Sequence, residues 1–386
     1  VLSFRLSFFY IAIFFVIGSL MPFWPVWLEA QGINEAQIGI LLAVPVLGKV
    51  IFSPLFASLG DRLGERKRLM LLFMTMALCV FALYAFFTTF IGFLFVALLF
   101  GICWAPLMSF GDNITLLAIR GTPLQYGRLR VWGSLSFIAM SFGLGWFLET
   151  NNAEVIYWIV LGSITLTILA TFALPDVKVA SSGRKSQPVR ALLKDRGFQI
   201  FMATVAMVHG SHALYYAFAT LHWRSLGYSN DLIGFLWAEA VAVEVLFFTF
   251  GGRITEKISA SSLLFLAGVA AVMRWSILAF DPNMEILIGV QSLHALTFGA
   301  MHLGAMAFIS RTVPVDLSTT AQSLYGASAF GAGTGVTMLF AGILYAKFSA
   351  LSFLVMSLMA GLGSVLALVL RQYERKKLVL KDSLST

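Results

Sequence analysis

Ala57-Ser-Leu-Gly-Asp61-Arg62-Leu-Gly64-Glu-Arg66-Lys67 separates two apolar runs, at about 35–60 and 68–89. Each run has ~20 residues or more, the length a helix needs to cross ~30 Å of hydrocarbon. The polar stretch is therefore read as a tight turn at a membrane face. It has an echo 195 residues later, Gly252-Arg-Ile-Thr-Glu256-Lys257, again small-x-x-x-acid-base. The same shift aligns Gly32 with Gly227, Ile38 with Ile233, Gly39 with Gly234, Leu41 with Leu236, Val50 with Val245 and Phe52 with Phe247. The chain reads as two related halves.

Apolar stretches recur on both sides of this pair, at about 5–30, 91–118, 125–149 and 153–174 in the first half. The second half has them at about 197–223, 230–255, 260–280, 284–310, 317–346 and 350–371. This predicts an all-α membrane protein of twelve transmembrane helices in two pseudo-symmetric six-helix bundles. Leu6–Trp27 is too long and lacks a small-residue cleavage site for a signal peptide, so it reads as the first span. The expected divisions are a bundle over 1–174, a linker over 175–196, a bundle over 197–373 and a basic tail over 374–386.

Composition supports a lipid solvent: 59% of residues are apolar and only 11% charged, where an average soluble domain has ~25% charged. The net charge of +8 is not a nucleic-acid footprint, because of where the bases fall. Arg5, Arg62, Arg66, Lys67, Arg68, Arg120, Arg128, the linker, Arg253, Lys257, Arg311 and the tail share one side; the other holds Arg224 and Lys347. By the positive-inside rule the termini and linker are expected in the cytoplasm of a bacterial-type inner membrane. Cys79 and Cys103 fall inside apolar runs and read as packing residues, and no His/Cys cluster has metal-ligand spacing. No cofactor is expected.

Duplicated six-span halves with a site near the membrane midplane are a transporter design. The loop after the second span resembles the signature of the major facilitator superfamily, Gly-x-x-x-Asp-Arg-x-Gly-x-Arg-Lys, with Ala57 in place of the first Gly. The resemblance implies a gating role for Asp61 and Arg62, and their repeats Glu256 and Lys257 share it. Tyr126-Gly127-Arg128-Leu-Arg130-Val-Trp132-Gly133-Ser134 resembles the span-five entry of the lactose and phenylpropionate permease groups. Asp112 precedes Arg130 by eighteen residues, as an acid does in the lactose permease pattern. There the pair binds substrate hydroxyls, which makes Asp112 and Arg130 substrate-site candidates. His209-Gly-Ser-His212-Ala-Leu-Tyr215-Tyr216, Glu239-Ala-Val-Ala-Val-Glu244, Arg274-Trp275 and Gln291-Ser-Leu-His294 are similar to the 3-phenylpropionate permease branch. Arg274 and His294 keep the lactose permease spacing, but Thr297 stands where that pattern has a proton-carrying Glu.

The residues support a site without any family. A charge in mid-membrane costs ~2.5–3.5 kcal/mol on insertion scales, so charges kept there face a cavity or a partner. Six qualify: Lys49, Arg130 and Arg274, with Asp112, Glu239 and Glu244. They sum to zero, which also fits a set of structural ion pairs. His212, Tyr215 and Tyr216 join Lys49, Asp112 and Arg130 as substrate-site candidates, and Phe23, Trp24, Trp27 and Phe218 extend the aromatic set. Trp24 and Trp27 equally suit an interfacial belt. With Thr297 uncharged, a coupled proton is expected on Glu244, with Glu239, His294 and His302 as alternatives and Arg274 as modulator.

The expected function is proton-linked symport of a small aromatic carboxylate by alternating access. A sugar or nucleoside symporter of the same fold is the alternative. A drug–proton antiporter fits less well, since 124–174 contains no Pro. An enzyme is not expected: no Walker loop, HExxH helix or GxSxG elbow is present.

Overall fold

The computed structural model describes residues 1–177, 189–314 and 317–385, without the side chains of Asp61, Arg62, Val189, Ala191, Thr319 and 377–385. The Asp61 and Arg62 side chains and the linker bases Lys178, Arg184 and Lys185 thus lie outside the described residues.

Among the described residues, twelve helical crossings account for the apolar runs. Spans 1 to 3 are Leu2–Ala30, Glu35–Leu63 and Arg66–Ala82. Span 4 is broken at Pro106 into Phe90–Trp104 and Leu107–Ala118, as expected where a proline lacks its N–H. Spans 5 and 6 are Tyr126–Phe147 and Glu154–Ala173. Span 7 breaks at Ser211 and His212, between Arg196–Gly210 and Ala213–Ser225. Span 8 is Asn230–Thr249, followed by a short helix Gly251–Lys257, and span 9 is Ala260–Leu278. Span 10 runs from Met284 to Thr312 with a π-helical turn at Ala295–Ala300. Span 11 runs from Ser318 to Phe348 with a second π turn at Ala327–Gly333, and span 12 is Phe353–Ser385.

The repeat has a physical expression at the entries to spans 2 and 8. Gly32 and Gly227, 195 residues apart, both take left-handed φ, 78° and 86°, a conformation that costs glycine little. Asn34 then closes a capping box with Gln37 at the start of span 2. At the far end of that span, left-handed Gly64 terminates the helix. Lys67 donates to the carbonyls of Phe172 and Leu174 at 2.9 and 2.6 Å, and Arg5 bonds the carbonyl of Ala173. The loop base thus satisfies orphan carbonyls at the C-terminus of span 6, where positive charge is favoured.

Large apolar side chains such as Phe86, Trp158, Phe280, Leu358 and Leu362 stand exposed around the molecule, as they must on a surface solvated by lipid. The protein is an embedded multi-pass membrane protein.

The chain divides into two compact units. One comprises Val1–Arg184, Tyr215–Ala242 and Met338–Lys347; the other comprises Lys185–Leu214, Val243–Thr337 and Phe348–Thr386. The units therefore interleave with the sequence halves. In the first unit span 1 packs on spans 5 and 6, and span 2 on span 4. Its core includes Phe9, Tyr10, Ile13, Met70, Phe110 and Leu129. In the second, span 12 packs on spans 7 and 9, around Phe201, Val205, Leu264, Met301, Phe308 and Tyr325.

Candidate functional site

In the first unit the motif at the entry to span 5 supplies two of the groups that matter. Tyr126, the first residue of that span, donates its hydroxyl to Asp112 Oδ1 at 3.0 Å. Tyr10 of span 1 donates to the same oxygen at 2.7 Å. Asp112 thus ties span 4 to spans 1 and 5. Arg130 lies one turn further along span 5, its guanidinium 4.0 Å above the ring of Phe14 and 5.7 Å from that of Tyr10. Its nitrogens make no hydrogen bond and no ion pair among the described residues. A guanidinium carries five N–H donors in one plane, and here Phe14 covers one face while the edges remain open. Gly133 makes the arrangement possible: a Cβ there would lie 2.8 Å from Phe14 Cδ2 and 3.2 Å from Arg130 Nη1.

Lys49 of span 2 is exposed and likewise has no acceptor among the described residues. Glu239 of span 8 is half-buried. Tyr216 is half-buried and stacks at 6.4 Å on Trp237. Tyr215 is buried against Trp237 and Trp223, and Phe218 is buried against Tyr345. Phe23 is buried. Trp24 and Trp27 are buried in an aromatic core with Phe81, Tyr84 and Phe93, stacked on each other at 4.5 Å. They belong neither to an open cavity wall nor to a lipid belt.

The second unit holds a directed chain of hydrogen bonds. Arg274 of span 9 is fully buried and donates through Nη2 to Gln291 Oε1 at 2.7 Å. Through Nη1 it donates to His294 Nδ1 at 3.0 Å and to Thr297 Oγ1 at 3.3 Å. His294 Nε2 lies 3.1 Å from Glu244 Oε2 of span 8. His212, at the break in span 7, has Nδ1 3.2 Å from the carbonyls of Val208 and His209, and Nε2 3.0 Å from Thr297 Oγ1.

Donor and acceptor chemistry orients this chain. A guanidinium only donates, so His294 Nδ1 accepts, and the imidazole proton sits on Nε2, facing the Glu244 carboxylate. Carbonyls only accept, so His212 carries its proton on Nδ1 and takes the Thr297 hydroxyl at Nε2. Both imidazoles are neutral in this pattern. Thr297 thus joins span 7 to Arg274 through its hydroxyl. Trp275 Nε1 adds a bond to Ser211 Oγ at 2.9 Å, fixing the break itself.

Next to this chain, rings of Phe298 and Phe330 flank His209 at 5.6 and 4.2 Å. Both come from the π turns, which recur at functional sites. His302 stacks beyond Phe298, with Nδ1 3.1 Å from the Tyr325 hydroxyl. Glu256 and Lys257 are exposed on the short helix after span 8, whose Thr255 carbonyl accepts from Arg311 at 2.6 Å. Sequence reasoning did not single out Phe14 or Tyr10, and Gln291 entered it only within a motif shared with the phenylpropionate permease branch. The hydroxyl of Tyr10 within an apolar run was the available signal; for Phe14, one of 36 phenylalanines, there was none.

A model of the MFS_1 like family matches residues 3–355. A "Probable 3-phenylpropionic acid transporter" of Escherichia coli K12 is 29% identical over 359 residues, covering 91% of this chain and 93% of the relative. The maltose permease of Geobacillus stearothermophilus is 25% identical over 371 residues, covering 95% and 94%. Among solved structures, a point mutant of the nucleoside transporter NupG superposes with a TM-score of 0.83 at 17% identity, covering 96% of this chain and 99% of that one.

Proposed function

This chain belongs to the MFS_1 like family of major facilitator transporters, and from that premise we propose that it is a proton-linked importer of a small aromatic carboxylate. It works by alternating access in a bacterial-type inner membrane, with both termini cytoplasmic. The observation that carries the reading is Arg130. A cation on a membrane-spanning helix, with its guanidinium 4.0 Å above the Phe14 ring and no acceptor among the described residues, is suited to a planar oxyanion. Lys49, also without an acceptor among the described residues, adds a second positive charge suited to an anion. A relative named for 3-phenylpropionic acid supports the aromatic part.

The proton is assigned to Glu244. Arg274 occupies the acceptor nitrogen of His294, and His212 is engaged at both nitrogens, so the carboxylate is the member of the chain left to take a proton. When ionised it balances the buried Arg274 through a neutral imidazole. When protonated it leaves that cation uncompensated.

A sugar or nucleoside symporter is the second reading, favoured by sequence relatives named for maltose and for nucleosides. Uptake by proteoliposomes decides between them. Labelled 3-phenylpropionate should accumulate under an inward proton gradient where maltose and uridine do not. Arg130→Ala should lower that uptake about a hundredfold or more, since two charge-assisted hydrogen bonds are lost. Uptake of the sugar or the nucleoside instead, insensitive to Arg130→Ala, would replace the carboxylate reading.

A further inference from the structure

We infer that Asp112 does not touch the substrate but is a positioning residue, which locks Tyr10 and Tyr126 so that Tyr10 and Phe14 fix the plane of the Arg130 guanidinium. The inference rests on reading the substrate as a carboxylate. It departs from a role as acceptor of substrate hydroxyls.

Three observations carry it. First, one oxygen of Asp112 accepts both phenols, at 2.7 and 3.0 Å, from spans 1 and 5. The carboxylate is spent on protein donors that it draws together; Tyr10 and Tyr126 meet edge to face at 6.2 Å. Secondly, Asp112 makes no ion pair with Arg130. What touches the guanidinium is aromatic: Phe14 at 4.0 Å, with the Tyr10 ring at 5.7 Å on its flank, while Asp112 acts on it only as a charge at longer range. Tyr10 is fully buried, so its ring is set by packing and by the polar groups at its tip, where Asp112 accepts from its hydroxyl and Thr115 and Tyr126 lie beside it. Thirdly, a bare carboxylate beside Arg130 would repel a substrate anion, and two phenol donors disperse that charge. The division of labour is therefore sequential. Asp112 orients Tyr10, Tyr10 and Phe14 orient Arg130, and the guanidinium edge binds in the plane that this stack leaves open.

A positioning role differs from a contact role in what asparagine does. The amide oxygen of Asn still accepts from both phenols but carries no charge. In proteoliposomes of the full-length protein, Asp112→Ala and Phe14→Leu should each raise the KM for 3-phenylpropionate roughly tenfold. Maximal rate should stay within about twofold, because the site is misaligned rather than emptied. Asp112→Asn should restore KM to within about threefold of wild type. Tyr10→Phe should add little to Asp112→Ala, since both break the bond from the Tyr10 hydroxyl to Asp112. Thermal unfolding of each purified variant separates loss of fold from loss of alignment. If wild type carries 3-phenylpropionate and Asp112→Asn is as damaged as Asp112→Ala, the carboxylate charge itself meets substrate or proton and this inference alone fails. Additive effects of Asp112→Ala and Tyr10→Phe would overturn it too. Wild type that carries no carboxylate at all removes the functional reading and this inference together.

Discussion

Arg274 Nη1 stands 3.0 Å from Nδ1 of His294, and that contact decides where the imidazole keeps its proton. The acceptor nitrogen is turned to a cation that cannot give up its charge, the donor nitrogen to Glu244 at 3.1 Å. A second proton on His294 would have to displace the Arg274 bond and place two cations side by side. That cost is the reason the proposed proton site is Glu244 and not the imidazole.

Glu244→Gln is therefore expected to separate movement from coupling. The amide keeps a hydrogen-bonding group beside His294 but cannot titrate. Exchange of labelled for unlabelled substrate across the membrane should persist at near wild-type rate. Accumulation under a proton gradient should be lost. Full gradient-driven accumulation by this variant would move the proton to Glu239, His302 or another group.

The buried charge of Arg274 gives a stability test. Arg274→Met removes the donor to Gln291, His294 and Thr297 and the charge that faces Glu244 across the imidazole, and losing one charge of such a buried network costs ~3–5 kcal/mol. The thermal midpoint of the purified protein should drop by about 5–10 °C. Adding Glu244→Gln should return a large part of that loss, because the uncompensated carboxylate is then gone. Equal midpoints for the single and double variants would show that the two charges are energetically independent.

Much of the frame is readable from residues because membrane helices obey simple rules. The 195-residue register of sequence identities corresponds to shared geometry: left-handed turns at Gly32 and Gly227, and close helix approaches at Gly39 and Gly234. Arg274, His294 and Glu244 stand out in any scan for charge in apolar runs. What periodicity does not give is helix rotation after an interruption. The break at Ser211 and His212 sets which face of span 7 turns inward, so Tyr215 and Phe218 are buried while Tyr216 is half-exposed. The π turns of spans 10 and 11 reset the phase again and bring Phe298 and Phe330 against His209. Nor does spacing show that Lys67 caps span 6, since that bond joins elements 105 residues apart.

Gly133→Ala tests the floor beneath Arg130. The new Cβ would press on Phe14 Cδ2 at 2.8 Å and Arg130 Nη1 at 3.2 Å. Both atoms are side-chain atoms that can move, so the fold should tolerate the change with less than ~1 kcal/mol lost. The guanidinium plane should not. A severalfold rise in KM for 3-phenylpropionate at unchanged thermal midpoint is expected, and Gly127→Ala, which meets open space, should leave KM unchanged. Equal kinetics for the two variants would mean that the Phe14 stack is dispensable.

At the end of the first unit remote from the Asp61 loop, spans 5 and 8 meet through close glycine contacts and through Glu149, whose carboxylate accepts from the backbone N–H groups of Asn230 and Asp231. Arg224 and Glu29 pair there at 3.6 Å, but both are substantially exposed, with side chains 36% and 55% accessible. Such a pair contributes ~0–1 kcal/mol. By contrast, a Cβ on Gly145 would lie 2.3 Å from the Asn230 carbonyl oxygen, and one on Gly234 would lie 2.4 Å from that of Ser141. Gly39 and Gly342 meet in the same manner, a Cβ on Gly39 falling 2.9 Å from the Gly342 nitrogen. These neighbours are backbone, so no rotamer change relieves a larger side chain; the helices themselves must separate. Gly234→Leu is accordingly expected to part spans 5 and 8, and Gly39→Leu spans 2 and 11. A cysteine placed at buried Ser141, between spans 5 and 8, reports the first of these. Its maleimide labelling should rise about tenfold with Gly234→Leu, as expected when a packed site opens to water. Arg224→Gln should leave labelling near the starting rate, as should Gly48→Leu, where a Cβ meets only Phe52 at 3.7 Å. Labelling that follows Arg224→Gln and ignores Gly234→Leu would put the closure in the ion pair instead.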